Sequence, residues 1–211
     1  MQRYDFLAHL HEILAPKTYF EIGVQSGMSL HLAARAELAL GVDPDPWITA
    51  TGNQVIYRMT SDSYFADDFA PLPKAKKIDF GFIDGDHRYE QALRDFYNVQ
   101  RACHADSVIA FDDVLPYNQD VGGREMVAGH WAGDVWRVDE VIGKNQPDLI
   151  RVLVDVEPTG LLLVWNLDPE FYPRDSTWSS SPAIVPDEVI NRSYAMQPGD
   201  ALALVANHYG A

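Results

Sequence analysis

Two apolar runs of this sequence stop at acidic residues. Ile78 to Ile83 leads into Asp84-Gly85-Asp86-His87, and Ser107 to Phe111 leads into Asp112-Asp113. Carboxylates crowded at one place repel unless protons or a cation neutralise them. Oxygen donors of this kind favour Mg2+, Mn2+ or Ca2+ over zinc. His87 adds a group able to accept a proton near neutral pH. Each residue also has a plainer use. His87 and Asp86 can cap the helix that follows, and Asp112 and Asp113 can be solvated turn residues before Pro116.

A second set lies nearer the start. Glu21-Ile22-Gly23-Val24-Gln25-Ser26-Gly27 places two glycines after an apolar run, where the backbone can turn tightly and approach a ligand. A dinucleotide loop needs G-x-G-x-x-G so that a pyrophosphate can rest on a helix N-terminus. Gln25 stands at the middle glycine's place and crowds that phosphate. Asp43, in Gly41-Val42-Asp43-Pro44, ends another run and suits the two ribose hydroxyls of an adenosine; otherwise it caps a proline turn. Asp62 and Ser63, beyond a third run, can reach an adenine or can open a helix as caps. Glu21 sits inside an apolar run, so its carboxylate requires a partner. Together these residues describe a pocket for an adenosine that carries no phosphate, as in S-adenosylmethionine (SAM).

These residues can meet only if the runs between them are parallel strands. Thr18 to Val24, Leu38 to Val42, Gln54 to Met59, Ile78 to Ile83 and Ser107 to Phe111 read as buried strands. Ser29 to Glu37 and Arg88 to Ala102 read as helices, the second with Tyr89, Leu93, Phe96 and Tyr97 on one face. Ile150 to Val156 and Leu161 to Trp165 flank a short Pro/Gly turn that suits an antiparallel hairpin. The alternation implies a doubly wound α/β sheet, whose ligands bind beyond the carboxyl ends of the strands. Adjacent strands lie roughly 5 Å apart, so both acidic strand ends fall in one cleft. An amphipathic opening helix is expected over residues 1–16, a core over 17–165 and an extension over 166–211, all in one domain. Pro186 to Met196 is a candidate terminal helix. The glycine-bearing segment Tyr117 to Trp136 can cover the cleft. Trp136 reads as core by its spacing with Val135, Val138 and Val141, while Trp131 suits either core or pocket.

Glu21-Ile22-Gly23-x-x-x-Gly27, Gly41-Val42-Asp43 and Phe82-Ile83-Asp84-Gly85-Asp86-His87 resemble, in order and separation, the class I SAM-dependent methyltransferases. The likeness is strongest to the small-molecule O-methyltransferase branch that includes macrolide sugar and catechol enzymes, and it covers Lys17 to Trp165. It implies a mostly parallel, seven-stranded Rossmann-like sheet ending in an antiparallel hairpin. It implies SAM bound by Glu21, Gly23, Ser26, Gly27, Asp43, Asp62, Ser63 and Asp84. Metal-dependent members hold magnesium at these two strand ends, which here gives Asp84, Asp112 and Asp113 as ligands. Asp84 and His87 are then the catalytic pair, with His87 taking the acceptor proton. The acceptor implied is an oxygen on a small molecule such as a sugar or a polyhydroxylated metabolite. The opening helix and the extension, which usually shape the acceptor pocket, depart from familiar members of the branch.

Composition narrows the field further. The chain has 211 residues and a formal net charge of −15, from 31 acidic against 16 basic residues. Such a surface repels a phosphate backbone, and Lys74, Lys76 and Lys77 form the lone basic cluster, so nucleic acid is a poor partner. No run approaches the roughly 18 apolar residues of a membrane helix, and the opening residues do not read as a secretory leader. A single cysteine, Cys103, excludes an internal disulfide and suits a reducing, cytoplasmic setting. A homo-oligomer is compatible with all of this. Three other readings use the same sheet: a nicotinamide oxidoreductase, a non-catalytic SAM-binding domain, and a metal-dependent hydrolase or hydroxylase built on Asp84, Asp86 and His87.

Overall fold

The structure is a computed structural model that describes residues 1–66, 77–126, 129–173 and 183–210. Lys74 and Lys76 lie outside the described residues. Seven strands form one sheet: β1 (Thr18–Ile22), β2 (Leu38–Val42), β3 (Gln54–Tyr57), β4 (Ile78–Ile83), β5 (Cys103–Asp112), β6 (Ile150–Val154) and β7 (Leu161–Trp165). Their order is β3-β2-β1-β4-β5-β7-β6. The first five pair in parallel; β7 runs antiparallel between β5 and β6. The order reverses direction at β1 and β4, and that switch point opens a crevice at the strands' carboxyl ends.

The continuous apolar runs are explained by burial on both faces. Every residue of β1 and of β7 is buried. Strand side chains alternate between faces. Phe20, Ile22, Ile109 and Phe111 accordingly meet Leu93 and Phe96 of α3 (Tyr89–Arg101) and Val138 and Ile142 of α4 (Val138–Asn145). Tyr19, Phe80, Phe82 and Val108 meet Phe6, Leu7 and Leu10 of α1 (Arg3–Leu14) on the opposite face. Ala201 and Val205 of α6 (Pro198–Tyr209) close that second layer.

Two local expectations are corrected. Ser29 to Glu37 is not an α-helix but a 3-10 segment over Leu30–Arg35, kinked at Ala33. The terminal helix expected over Pro186 to Met196 is one turn, α5 (Asp187–Ile190), and the substantial one is α6. Pro198 in its first turn and Gly210 in the left-handed conformation past its end delimit α6, an asymmetry readable from sequence. Trp136 falls in a short 3-10 turn, Val135–Arg137, ahead of α4, half-buried against the core. Among the described residues, no helix is long and apolar enough to cross a membrane.

Candidate active site

Register builds the site. Val42, Ile22, Ile83 and Phe111 lie side by side across β2, β1, β4 and β5. The next residue of each strand, Asp43, Gly23, Asp84 and Asp112, therefore reaches the sheet's edge at one level. The amide of Gly23 donates to the Val42 carbonyl and that of Asp84 to the Ile22 carbonyl, both at 2.9 Å. Beyond this edge lies a cavity of about 800 Å3.

Gly23, Gln25, Asp43, Asp45, Trp47, Ser61, Asp62 and Gln91 line one half of it. Gly23 has φ +89°, and a Cβ there would lie 1.8 Å from the Asp84 carbonyl oxygen, so only glycine lets the β1 loop pass β4. The Asp43 carboxylate accepts from the amides of Gln25 (2.8 Å) and Asp45 (2.7 Å), which fixes it at the cavity wall. Gln91 of α3 donates to the Ser61 hydroxyl, to Asp62 and to the buried Asp95, tying α3 to α2 (Ser61–Tyr64). Gln91 carried no signal in the sequence beyond its place on a helix.

Four of the residues assigned to the cofactor stand elsewhere. Glu21 is fully buried beneath the loop, where Tyr19 Oη donates to it at 2.6 Å and Ser29 Oγ at 3.0 Å. Alternation is the cause: Glu21 follows Tyr19 onto the α1 side of β1. Burial pushes its carboxyl up to about 8 against the pull of those two hydroxyls. Ser26 and Gly27 shape the loop without facing the cavity; Gly27, at φ +73°, donates its amide to the Val24 carbonyl. Ser63 turns outward, its hydroxyl accepting from Thr60 and its amide capped by the same side chain. Ser61 takes its place on the cavity wall.

The other half holds Arg3, Asp84, His87, Asp113, His130, Trp131, Pro158 and Thr159. One donor atom each from Asp84, His87 and Asp113 lie within 4.8 Å of one another. His87 Nε2 is 3.2 Å from Asp113 Oδ2 and 3.7 Å from Asp84 Oδ1. Its Nδ1 lies 2.6 Å from the Trp131 carbonyl, a contact that places the ring proton on Nδ1 and aims Nε2 at the acids. Burial lowers the imidazole pKa, but Asp84, Asp113 and the Trp131 carbonyl outweigh burial and push it up to about 9. Burial also raises the Asp113 carboxyl.

Asp112 does not join this group. It continues the face of Val108 and Ala110, towards α1, where its carboxylate contacts the Arg3 guanidinium. Asp113 leaves the strand in the left-handed conformation, φ 64°, and so turns into the cavity. Of the three expected ligands, Asp84 and Asp113 thus stand together with His87, and Asp112 stands apart on the α1 side. The two carboxylates suit a divalent cation, with the imidazole oriented beside them.

A pinned loop supplies the Trp131 carbonyl. Trp131 stacks on His87 with ring centroids 5.2 Å apart and donates Nε1–H to the Gly123 carbonyl. Gly133 has φ +61°, and a Cβ there would lie 1.8 Å from the His87 carbonyl oxygen. Asp134, buried, accepts from the Tyr89 amide at 3.0 Å and pairs with Arg124 and Arg137. The sequence left Trp131 open between core and pocket; it lines the pocket.

Residues 20–114 match a family described as a methyltransferase domain. No curated protein matches the chain. Among solved structures, the chain resembles the Bacillus cereus O-methyltransferase in complex with S-adenosylhomocysteine, at 16% identity and a TM-score of 0.55, over 77% of this chain and 80% of that one. Podospora anserina methyltransferase PaMTH1, bound to the same ligand, matches at 15% identity and a TM-score of 0.58, over 77% of each chain. The O-methyltransferase TomG of Streptomyces achromogenes, involved in tomaymycin synthesis and in complex with SAM, matches at 14% identity and a TM-score of 0.56, over 77% and 78%. At these identities the likeness establishes a shared fold.

Proposed function

We propose that this chain, which has the fold of the class I SAM-dependent methyltransferases, transfers a methyl group from SAM to an oxygen of a small-molecule acceptor, with a divalent cation at the acid cluster. The observation that carries the reading is continuity: the Gly23–Asp43 half and the Asp84–His87–Asp113 half share one cavity. SAM in the first half, its ribose on Asp43 and its adenine near Asp62, would direct the sulfonium methyl toward the second. The absence of a pyrophosphate makes Gln25 acceptable where a dinucleotide would be crowded.

A sulfonium methyl is already activated, so the acceptor oxygen must lose its proton and line up opposite the sulfur. Asp84 and Asp113 are the carboxylates that would hold the cation. When bound, a divalent cation lowers the pKa of an acceptor hydroxyl and fixes its orientation. Asp84 and Asp113 raise the imidazole to about 9 and so keep it protonated. A cation on those carboxylates would oppose their pull, and His87 Nε2 would then be the atom that takes the proton, its Nδ1–H kept on the Trp131 carbonyl. Trp131 and Pro158 line this half and would give the acceptor an apolar surface to rest on. A hydroxylated metabolite such as a sugar fits a wall this rich in polar groups.

Calorimetric titration of SAM into chelator-treated protein, with and without Mg2+ and with Asp43→Ala, tests the reading. Micromolar-range binding that Asp43→Ala weakens at least about tenfold is expected, because a hydrogen-bonded carboxylate on the ribose is lost. Heat-silent titrations of the folded wild type in both conditions would overturn it.

A further inference from the structure

We propose that Arg3 is a built-in rival of the divalent cation, so that the docking of α1 sets how tightly the acid cluster holds that ion. The inference rests on the cation reading of Asp84 and Asp113 and adds a residue outside it.

Arg3 is delivered into the cavity by main-chain pairing. Gln2 forms a parallel bridge with Glu157, the Arg3 amide donates to the Glu157 carbonyl at 2.9 Å, and the Glu157 amide donates to the Met1 carbonyl at 3.0 Å. The guanidinium then contacts Asp112, places Nη1 3.5 Å from Asp84 Oδ2, and donates from Nη2 to Tyr4 Oη at 3.0 Å. Its Cζ stands 4.8 Å from the centre of the Tyr4 ring, which holds it from the other side. A guanidinium keeps its charge throughout the physiological range.

Asp84 therefore faces two ways. Its Oδ1 looks to His87 and its Oδ2 to Arg3. A cation entering on Oδ1 meets a positive charge already engaged on the same carboxylate, and like charges at this range oppose one another appreciably even when partly screened. Arg3 also withholds Asp112, whose side chain is only 1% exposed. Removing the guanidinium while keeping its bulk should thus strengthen cation binding by about tenfold or more.

The test is Mn2+ binding to chelator-treated protein, read by electron paramagnetic resonance of the free ion, without acceptor or turnover. Arg3→Met is expected to bind at least about tenfold tighter than wild type and Arg3→Lys close to wild type. Asp113→Asn, which should abolish the signal change, fixes the location of the ion. If wild type binds at Asp113 and Arg3→Met binds no tighter, the role of Arg3 is overturned and the cation site stands. If neither protein binds Mn2+, the cation reading falls and takes this one with it. Arg3→Met leaves Asp112 buried without its partner, so Arg3→Met/Asp112→Asn, compared with Asp112→Asn alone, covers a failure to fold. In that pair the same gain in affinity is expected, and no gain overturns the proposal.

Discussion

Glu21 shows how a residue conspicuous in sequence can stand away from the cavity it is expected to line. Its place before Gly23 suggests a cofactor ligand, yet strand alternation sends it under the sheet to Tyr19 and Ser29. Asp43 and Asp84 were legible because each directly follows a buried run, where the strand must end at the crevice. Asp112 and Asp113 look equivalent in sequence; only the left-handed backbone at Asp113 separates them. Arg3 gave no signal, because a lone arginine at the start of an amphipathic helix reads as surface. The Glu21 carboxyl, raised by burial to about 8, leads to a stability prediction. Between the unfolded carboxylate's ordinary pKa and about 8, the unfolded chain releases this proton and the folded one keeps it. The contribution of Glu21 to stability is therefore greatest in acid and declines as pH rises through that window. Glu21→Gln, which imitates the protonated form, should flatten this part of the profile. At pH 8 it should stabilise the fold by roughly 1 to 4 kcal/mol, as read by denaturant unfolding. A variant less stable than wild type at pH 8 would show the ionised carboxylate to be the native form.

At the scale of elements, strands were far more legible than the segments around them. Buried parallel strands announce themselves as apolar runs, and the Pro/Gly turn before Leu161 marked the antiparallel end. The 3-10 segment at Leu30–Arg35 has a helix-compatible sequence, and it packs against β2 and α1 with Leu30 and Ala33 buried, a tertiary constraint that the sequence does not display. The loop that carries Trp131 was legible only as glycine-rich. Its closeness to α3 is a tertiary fact, secured by Gly133 over the His87 carbonyl and by Asp134 on the Tyr89 amide. Gly133→Ala combines a disfavoured backbone conformation with a direct clash on that carbonyl. It should push the loop off His87 and lose the Trp131 contact. The expected outcome is SAM affinity within about threefold of wild type, since the cofactor half is untouched, with the imidazole resonances of His87 displaced in NMR spectra. Unchanged His87 resonances would mean that the loop positions nothing.

Across the whole molecule, one face of the sheet supports the cofactor half through α3, while α1 and α6 form the other face and lead to Arg3. Phe6, fully buried on α1, packs within the cluster that includes Tyr19, Phe80, Phe82 and Val205. It thereby joins both chain termini to the central strands. Phe6→Ala removes a large side chain from a two-sided contact, and such truncations cost about 3 to 5 kcal/mol. For a chain of this size that corresponds to a fall in Tm of roughly 6 to 20 °C. SAM affinity, measured well below the new Tm, should stay within about threefold, because Phe6 lies on the face away from Ser61, Asp62 and Gln91. Thermal unfolding and calorimetry separate the two effects. A variant that keeps its Tm would mean that α1 is not docked on the sheet in solution, and Arg3 could then not be held at Asp112. A variant that loses both stability and SAM binding would mean that the α1–α6 face and the cofactor half share one mechanical support, in place of the two suggested by the layers.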